Sequence, residues 1–205
     1  MGGEDYRIRA LRDRQQYWDP DGEAERAGIS SASWPLFGLV WPIGLQLAGE
    51  MSRLELAGKR ILEVGCGLGL SSLVLSRRKA DVTASDYHPL AGEFLRINAE
   101  LNGLPPIAYR CASWADADVD LGRFDLIVGS DVLYERDHPG VLAEFVARHL
   151  APDGQVMVAD PGRSQCGRFI AAMRSEGYRS GEHRARADEG NGNSGRIMSF
   201  TRDNN

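Results

Sequence analysis

Apolar positions between residues 59 and 175 keep two alternating rhythms. Short apolar, β-rich runs, "RILEVG" (60–65), "DVTASD" (81–86), "FDLIVGSDV" (124–132) and "GQVMVAD" (154–160), each precede a stretch with apolar residues three and four apart. Those stretches predict helices over Leu70–Arg78, Leu90–Leu101, Val141–Leu150 and Cys166–Arg174, while "IAYRCAS" (107–113) reads as a fifth strand between the second helix and the third run. In the third helix Val141, Leu142, Phe145, Val146 and Leu150 form one apolar stripe; in the fourth, Cys166, Phe169, Ile170 and Met173 do so before Gly177 closes it. Alternation of this kind predicts βαβ units and a parallel sheet covered by helices on both faces.

The rhythm breaks at both ends. "YRSGEHRARA" and "GRIMSFTRD" flank the Gly/Asn-rich "DEGNGNSG" (188–195) with no helix between them, which predicts an antiparallel hairpin at the end of the sheet and about seven strands in total. Residues 1–30, punctuated by "WDPDGEAERAG", read as an arm that is mobile or laid over a neighbouring surface, with no core element starting there. From Trp34 the chain turns apolar and aromatic, and Leu45, Ala48 and Met51 recur at helical spacing after Pro42. The expected architecture is one doubly wound α/β domain over 1–205: an arm (1–33), a helical lead-in (34–58) and a core (59–205).

Composition narrows the function classes. Hydrophobic residues at 42% and charged residues at 26% suit a globular enzyme, and a net charge of −5 leaves no clustered cationic footprint for a nucleic-acid backbone. No stretch approaches the roughly 18 apolar residues of a membrane span, and the charged N-terminus lacks the apolar core of a leader, so a cytoplasmic protein is expected. Cys66, Cys111 and Cys166 are spaced for neither a disulfide framework nor a zinc site. His88 and His138 each precede a proline and read as solvated turn residues, so no metal is expected.

The chemistry concentrates in "ILEVGCGLGLSS" (61–72). A P-loop requires G-x-x-x-x-G-K-[ST]; here Gly65 to Gly69 is one residue too short and no lysine follows. The dinucleotide fingerprint G-x-G-x-x-G starts at Gly65 and Gly67 but meets Leu70 where it needs its third glycine. Asp86 ends the next strand, where it could accept both hydroxyls of an adenosine ribose, a feature shared by NAD and S-adenosylmethionine sites. Two features separate these cofactors: the third glycine falls at Gly69, and Glu63 stands just before the loop. An acid there attracts the α-ammonium of an amino-acid cofactor and repels a pyrophosphate.

With "EVGCGLG" in place, the chain resembles the class I, seven-stranded S-adenosylmethionine-dependent methyltransferases over residues 59–160, and the terminal hairpin is similar to that family's last strands. The resemblance implies a Rossmann-like sheet and S-adenosylmethionine as cofactor. More narrowly, "VWPIGLQLAGEM", "SW" (113–114) and "SDVLYERDHP" (130–139) resemble the methyltransferase-like family 16 group, which contains protein-lysine methyltransferases with a D-x-x-Y motif, here Asp131 and Tyr134. That resemblance implies a protein lysine as acceptor, with Asp131 orienting the incoming ammonium and Tyr134 bounding the acceptor channel. Trp41, Tyr87, Trp114 and Ser130 join Glu63, Gly65, Gly67, Gly69 and Asp86 as expected cofactor contacts, and Asp160 or Arg163 could contribute to a substrate wall. A small-molecule N- or O-methyltransferase, a protein arginine or histidine methyltransferase, and a non-catalytic cofactor-binding module share these cofactor residues and remain the alternatives.

Overall fold

The structure is a computed structural model that describes residues 1–185 and 195–202. Its strands are β1 (Arg60–Val64), β2 (Asp81–Asp86), β3 (Ala108–Cys111), β4 (Phe124–Ser130), β5 (Leu150–Asp160), β6 (Tyr178–Arg184) and β7 (Arg196–Arg202). They form one sheet in the order β3-β2-β1-β4-β5-β7-β6. Strands β1 to β5 pair in parallel; β7 runs antiparallel between β5 and β6. The predicted hairpin therefore exists, with its second strand on the inside. Most of the Gly/Asn-rich turn assigned to 188–195 lies outside the described residues.

Period-two alternation explains how both faces are covered. Ile61, Leu126, Val128, Met157, Ala159 and Ile197 pack with Leu47, Met51, Val74 and Phe94 on one face. Their neighbours Leu62, Val64, Ile127, Val156, Val158, Met198 and Phe200 pack with Leu142, Phe145, Val146, Phe169 and Met173 on the other. The first face carries α2 (Pro42–Met51), α3 (Leu70–Arg77) and α4 (Ala91–Leu101); the second carries α5 (His138–His149) and α6 (Cys166–Ser175). Helix α5 starts three residues before the expected Val141, because Pro139 fits the first helical turn, where its missing N–H has no partner to lose.

The arm is laid over the sheet's helical face. Arg7 N–H donates to Asn102 Oδ1 at 2.9 Å and Arg9 N–H to Asn98 Oδ1 at 2.7 Å, while Asn98 Nδ2 donates to Leu68 O at 3.2 Å. One buried side chain on α4 thus ties the arm to the glycine loop. The expectation that no core element starts within residues 1–30 is corrected: a short helix, α1 (Glu23–Arg26), buries Ala24 completely, and Ile29 is buried too.

The sheet positions the site. β1 and β4 are adjacent, with β2 on the far side of β1 and β5 on the far side of β4, so the chain reverses its direction of progress between them. Loops leaving the carboxyl ends of these two strands diverge and leave a crevice, the usual ligand position in open α/β sheets.

Candidate active site

The glycine loop is shaped by backbone that other residues rarely adopt. Gly65, Gly67 and Gly69 have φ of 56°, 50° and 75°. At Gly67 a Cβ would lie 2.6 Å from the Phe37 carbonyl oxygen, and at Gly65 one would lie 2.8 Å from Val132 Cγ1. Glycine is required there for both conformation and clearance. Gly69 serves differently: it precedes α3 in a left-handed conformation and is packed against Leu95 of α4.

Two buried acids hold the loop. Glu63, 3% exposed, accepts from Ser71 N–H at 3.2 Å, Ser72 N–H at 2.8 Å and Ser72 Oγ at 2.5 Å. It satisfies N–H groups of the first turn of α3 that no helix can satisfy internally. Asp86, 7% exposed, accepts from Gly67 N–H at 2.8 Å and His88 N–H at 2.9 Å. Burial pushes both carboxyls above their ordinary range, against the pull of these N–H donors.

Above the loop lies a cavity of about 530 Å³. Trp41, Glu63, Gly65, Gly67, Asp86, Tyr87, Trp114, Ser130, Asp131 and Tyr134 all line it, so the structure brings together every expected cofactor and acceptor residue except Gly69, which sits behind the loop; of the two substrate-wall candidates Arg163 lines the cavity and Asp160 does not. Trp41 Nε1 donates to Leu36 O at 3.0 Å, which holds its indole at the start of α2. Trp114 is placed by Arg148, whose Nη2 donates to its carbonyl at 3.0 Å.

Past β4 the cavity becomes acidic and aromatic. Asp131 is a non-glycine residue with φ of 58°, fixed by its N–H to Ala159 O at 2.9 Å, and its Oδ1 is paired with Arg163 Nη1. Strain at such a residue persists only where neighbours over-determine it. Tyr134 and Tyr87 bear on each other's ionisation, and burial raises both phenols. His138 Nδ1 lies 2.7 Å from Val132 O, and its ring meets those of Trp114 and Tyr134 edge-on at 5.3 and 4.7 Å. Glu135, Asp137 and His138 each bring one polar side-chain atom within 4.8 Å of the others at the cavity mouth. Cys66 lines the cavity too, but burial pushes its thiol well up, which leaves it protonated and inert as a nucleophile.

Both histidine expectations are corrected. His88 is buried with its ring stacked on Phe37, centroids 3.8 Å apart, and His138 packs into the cavity wall instead of facing solvent. Arg14, Ile29, Phe37 and His138 are wall residues that the sequence pattern missed. The arm residues carry no periodicity, and the His-Pro dipeptides suggested turns without saying what would fold over them.

Comparison with known proteins fits this geometry. The family model described as "Methyltransferase domain" matches residues 44–199. The chain is 29% identical over 163 residues to an electron transfer flavoprotein beta subunit lysine methyltransferase of Xenopus laevis, covering 78% of this chain and 63% of that protein. It is 33% identical over 165 residues to a ubiquinone biosynthesis O-methyltransferase of Xanthomonas oryzae pv. oryzae, covering 78% and 62%. The chain thus spans about three fifths of the length of these curated relatives. A ribosomal protein L11 methylase of Lactobacillus delbrueckii subsp. bulgaricus shares the fold, with a TM-score of 0.62 at 24% identity over 78% of this chain and 77% of that one. A family match over most of the chain, a sheet in which β7 is inserted antiparallel, and a glycine loop under the crevice lead to one assignment: the chain belongs to the methyltransferase-domain family.

Proposed function

We propose that this chain is an S-adenosylmethionine-dependent methyltransferase whose acceptor is the side-chain amine of a protein lysine. The observation that carries the acceptor class is the acidic mouth: Asp131, Glu135 and Asp137 line the cavity on the β4 side, where Arg163 pairs with Asp131, and among the described residues the other arginine of the lining is Arg14 from the arm. A cationic side chain is drawn to such an entrance, whereas an acidic substrate is repelled. The flavoprotein-subunit lysine methyltransferases among the relatives favour the same reading.

The residues present fit the cofactor. The cavity volume falls within the roughly 300–1,000 Å³ usual for cofactor sites, and Gly65 and Gly67, whose Cβ directions are taken up by Val132 and Phe37, line it as a compact glycine loop. Asp86 retains lone pairs beyond those taken by Gly67 and His88, and is set to receive ribose hydroxyls. Glu63 would attract the amino-acid end, Tyr87 and Trp114 would flank the adenine, and Trp41 and Ser130 would border the methionine side, all of them residues that line the cavity. When bound, S-adenosylmethionine supplies a methyl group already activated by its sulfonium, so the protein needs to align the acceptor and not to create a strong nucleophile.

The acceptor must arrive neutral. A lysine at its ordinary pKa needs about 4.6 kcal/mol to lose its proton at pH 7. Desolvation against the packed rings of Tyr134, Trp114 and His138 in the cavity wall supplies part of that. Asp131 aims the nitrogen, and Tyr134, packed edge-on against His138, bounds its path.

The test is to incubate the chain with radiolabelled S-adenosylmethionine and cell lysate or the flavoprotein beta subunit. Label on lysine in protein bands is expected. Label confined to small molecules overturns the lysine reading in favour of the O-methyltransferase relatives' chemistry. A ligand that binds only the folded state raises the melting temperature, so stabilisation by NAD and not by S-adenosylmethionine overturns the cofactor assignment.

A further inference from the structure

An unpaired carboxylate at the acceptor site creates a difficulty for amine methylation. It attracts the ammonium but also holds its proton, and a protonated nitrogen has no lone pair to attack with. The structure places a cation on that carboxylate. Arg163 Nη1 pairs with Asp131 Oδ1, and both residues line the cavity. The loop carrying Arg163 is fixed by Asp160, a fully buried residue whose Oδ1 accepts from Gly162 N–H at 2.7 Å and Arg163 N–H at 2.6 Å. Asp160 Oδ2 stands 3.9 Å from Arg163 Nη1. The parallel register of β4 and β5, Ser130 against Ala159, sets the two loops side by side. The arginine is therefore built into this position by two strand ends.

We propose that Arg163 is a positioning residue that offsets the charge of Asp131, so that the acceptor amine can shed its proton while Asp131 still orients it. The proposal rests on the lysine reading above. The amine first gives its proton to solvent. Its lone pair then forms the N–C bond as the C–S bond breaks, and that electron pair stays on sulfur. The other titratable groups around the pair are Glu135, Asp137 and His138, which line the same cavity just before and at the start of α5, Asp160 at the end of β5, Cys166 of α6 beside Asp160, and Arg196 opposite Asp160 on β7. The acids outnumber the cations among them. Removing Arg163 thus leaves a site that binds ammonium better and deprotonates it worse.

Arg163→Gln and Arg163→Lys test this with two readouts. The first is NMR titration of the Asp131 side-chain carboxyl in the full chain, which needs no turnover. Asp131 is expected to titrate about one pH unit or more higher in R163Q than in wild type, and R163K should restore it. The second is the pH profile of methyl transfer to the flavoprotein beta subunit. For R163Q, KM for the acceptor should fall severalfold, kcat at pH 7 should fall about tenfold, and the acid limb of kcat should move up by about one unit, with R163K close to wild type. Identical Asp131 titrations in wild type and R163Q overturn the proposal, as does an acid limb that does not move while kcat falls. If wild type modifies no lysine, the lysine reading fails on its own, and the NMR titration still decides whether Arg163 sets the charge state of Asp131.

Discussion

His88 makes the stability of this fold depend on pH, in a direction the structure dictates. The residue is 2% exposed, its ring stacks on Phe37 at a 17° interplanar angle, and Tyr17 meets it edge-on at 5.6 Å. Burial among these rings depresses its pKa from 6.5 to about 4, against a smaller upward pull from Asp19. Between those two values the unfolded chain holds a proton that the folded chain does not. Stability therefore rises with pH across the window and is lost as pH falls through it. The full gap is worth about 3 kcal/mol, of which about 2 kcal/mol disappears between pH 7 and pH 5. For a chain of this size that lowers Tm by roughly 4–8 °C. His88→Gln removes the titration, so the variant should lose less stability than wild type over the same pH step, by that amount. Glu63 and Asp86 have raised pKa values and act in the opposite direction, but they are present in both proteins and cancel in the difference. Urea melts of both proteins at pH 7 and pH 5 make the measurement. Equal losses within about half a kcal/mol would refute the reasoning, because they would mean that His88 is not held neutral by the fold.

Three further outcomes are expected. Gly67→Ala places a Cβ against the Phe37 carbonyl in a left-handed backbone, which destabilises by about 1–2 kcal/mol from conformation alone; urea melts should show that loss, and calorimetry should show weaker S-adenosylmethionine binding. Asp131→Asn and Tyr134→Phe should each lower methyl transfer about a hundredfold while cofactor affinity changes no more than about threefold, since neither side chain is assigned to the cofactor; loss of cofactor binding in either variant would contradict their assignment to the acceptor. Glu63→Gln turns an amide group toward the Ser71 and Ser72 N–H donors and should cost about 1–3 kcal/mol of unfolding free energy, with no loss of stability as the refuting result.

The elements and the glycine loop were readable because covalent geometry constrains them directly. A strand buried on both faces must show apolar residues at successive positions, as Ile61 and Leu62 do when they enter opposite cores. A loop with φ near 50° within 3 Å of another segment's carbonyl must carry glycine. Glu63 and Asp86 were also identifiable, since both stand at strand ends, yet their partners were not. Glu63 meets Ser71 and Ser72 because α3 begins directly over the end of β1, and nothing in residue spacing reports that approach. The same holds for His88, whose burial is created by Phe37 and Tyr17 from a segment without periodicity.

This division follows function. Most residues proposed to hold the cofactor, Glu63, Gly65, Asp86, Tyr87 and Ser130, sit at or directly after the ends of strands, where the sheet that makes the core also fixes their place. The residues proposed to face the acceptor, Asp131, Tyr134 and Arg163, sit in loops that the core tolerates in many forms, and His138 opens α5 directly after one of them. Their arrangement depends on contacts between loops, such as Arg163 on Asp131 across the β4–β5 register. Donor chemistry is therefore constrained by the fold itself, while acceptor choice rests on pairings that only the assembled sheet brings within reach. Exchanging the 131–138 and 161–164 segments together should transfer acceptor preference between relatives, whereas exchanging either one alone separates Asp131 from its cation and should lower transfer to every acceptor.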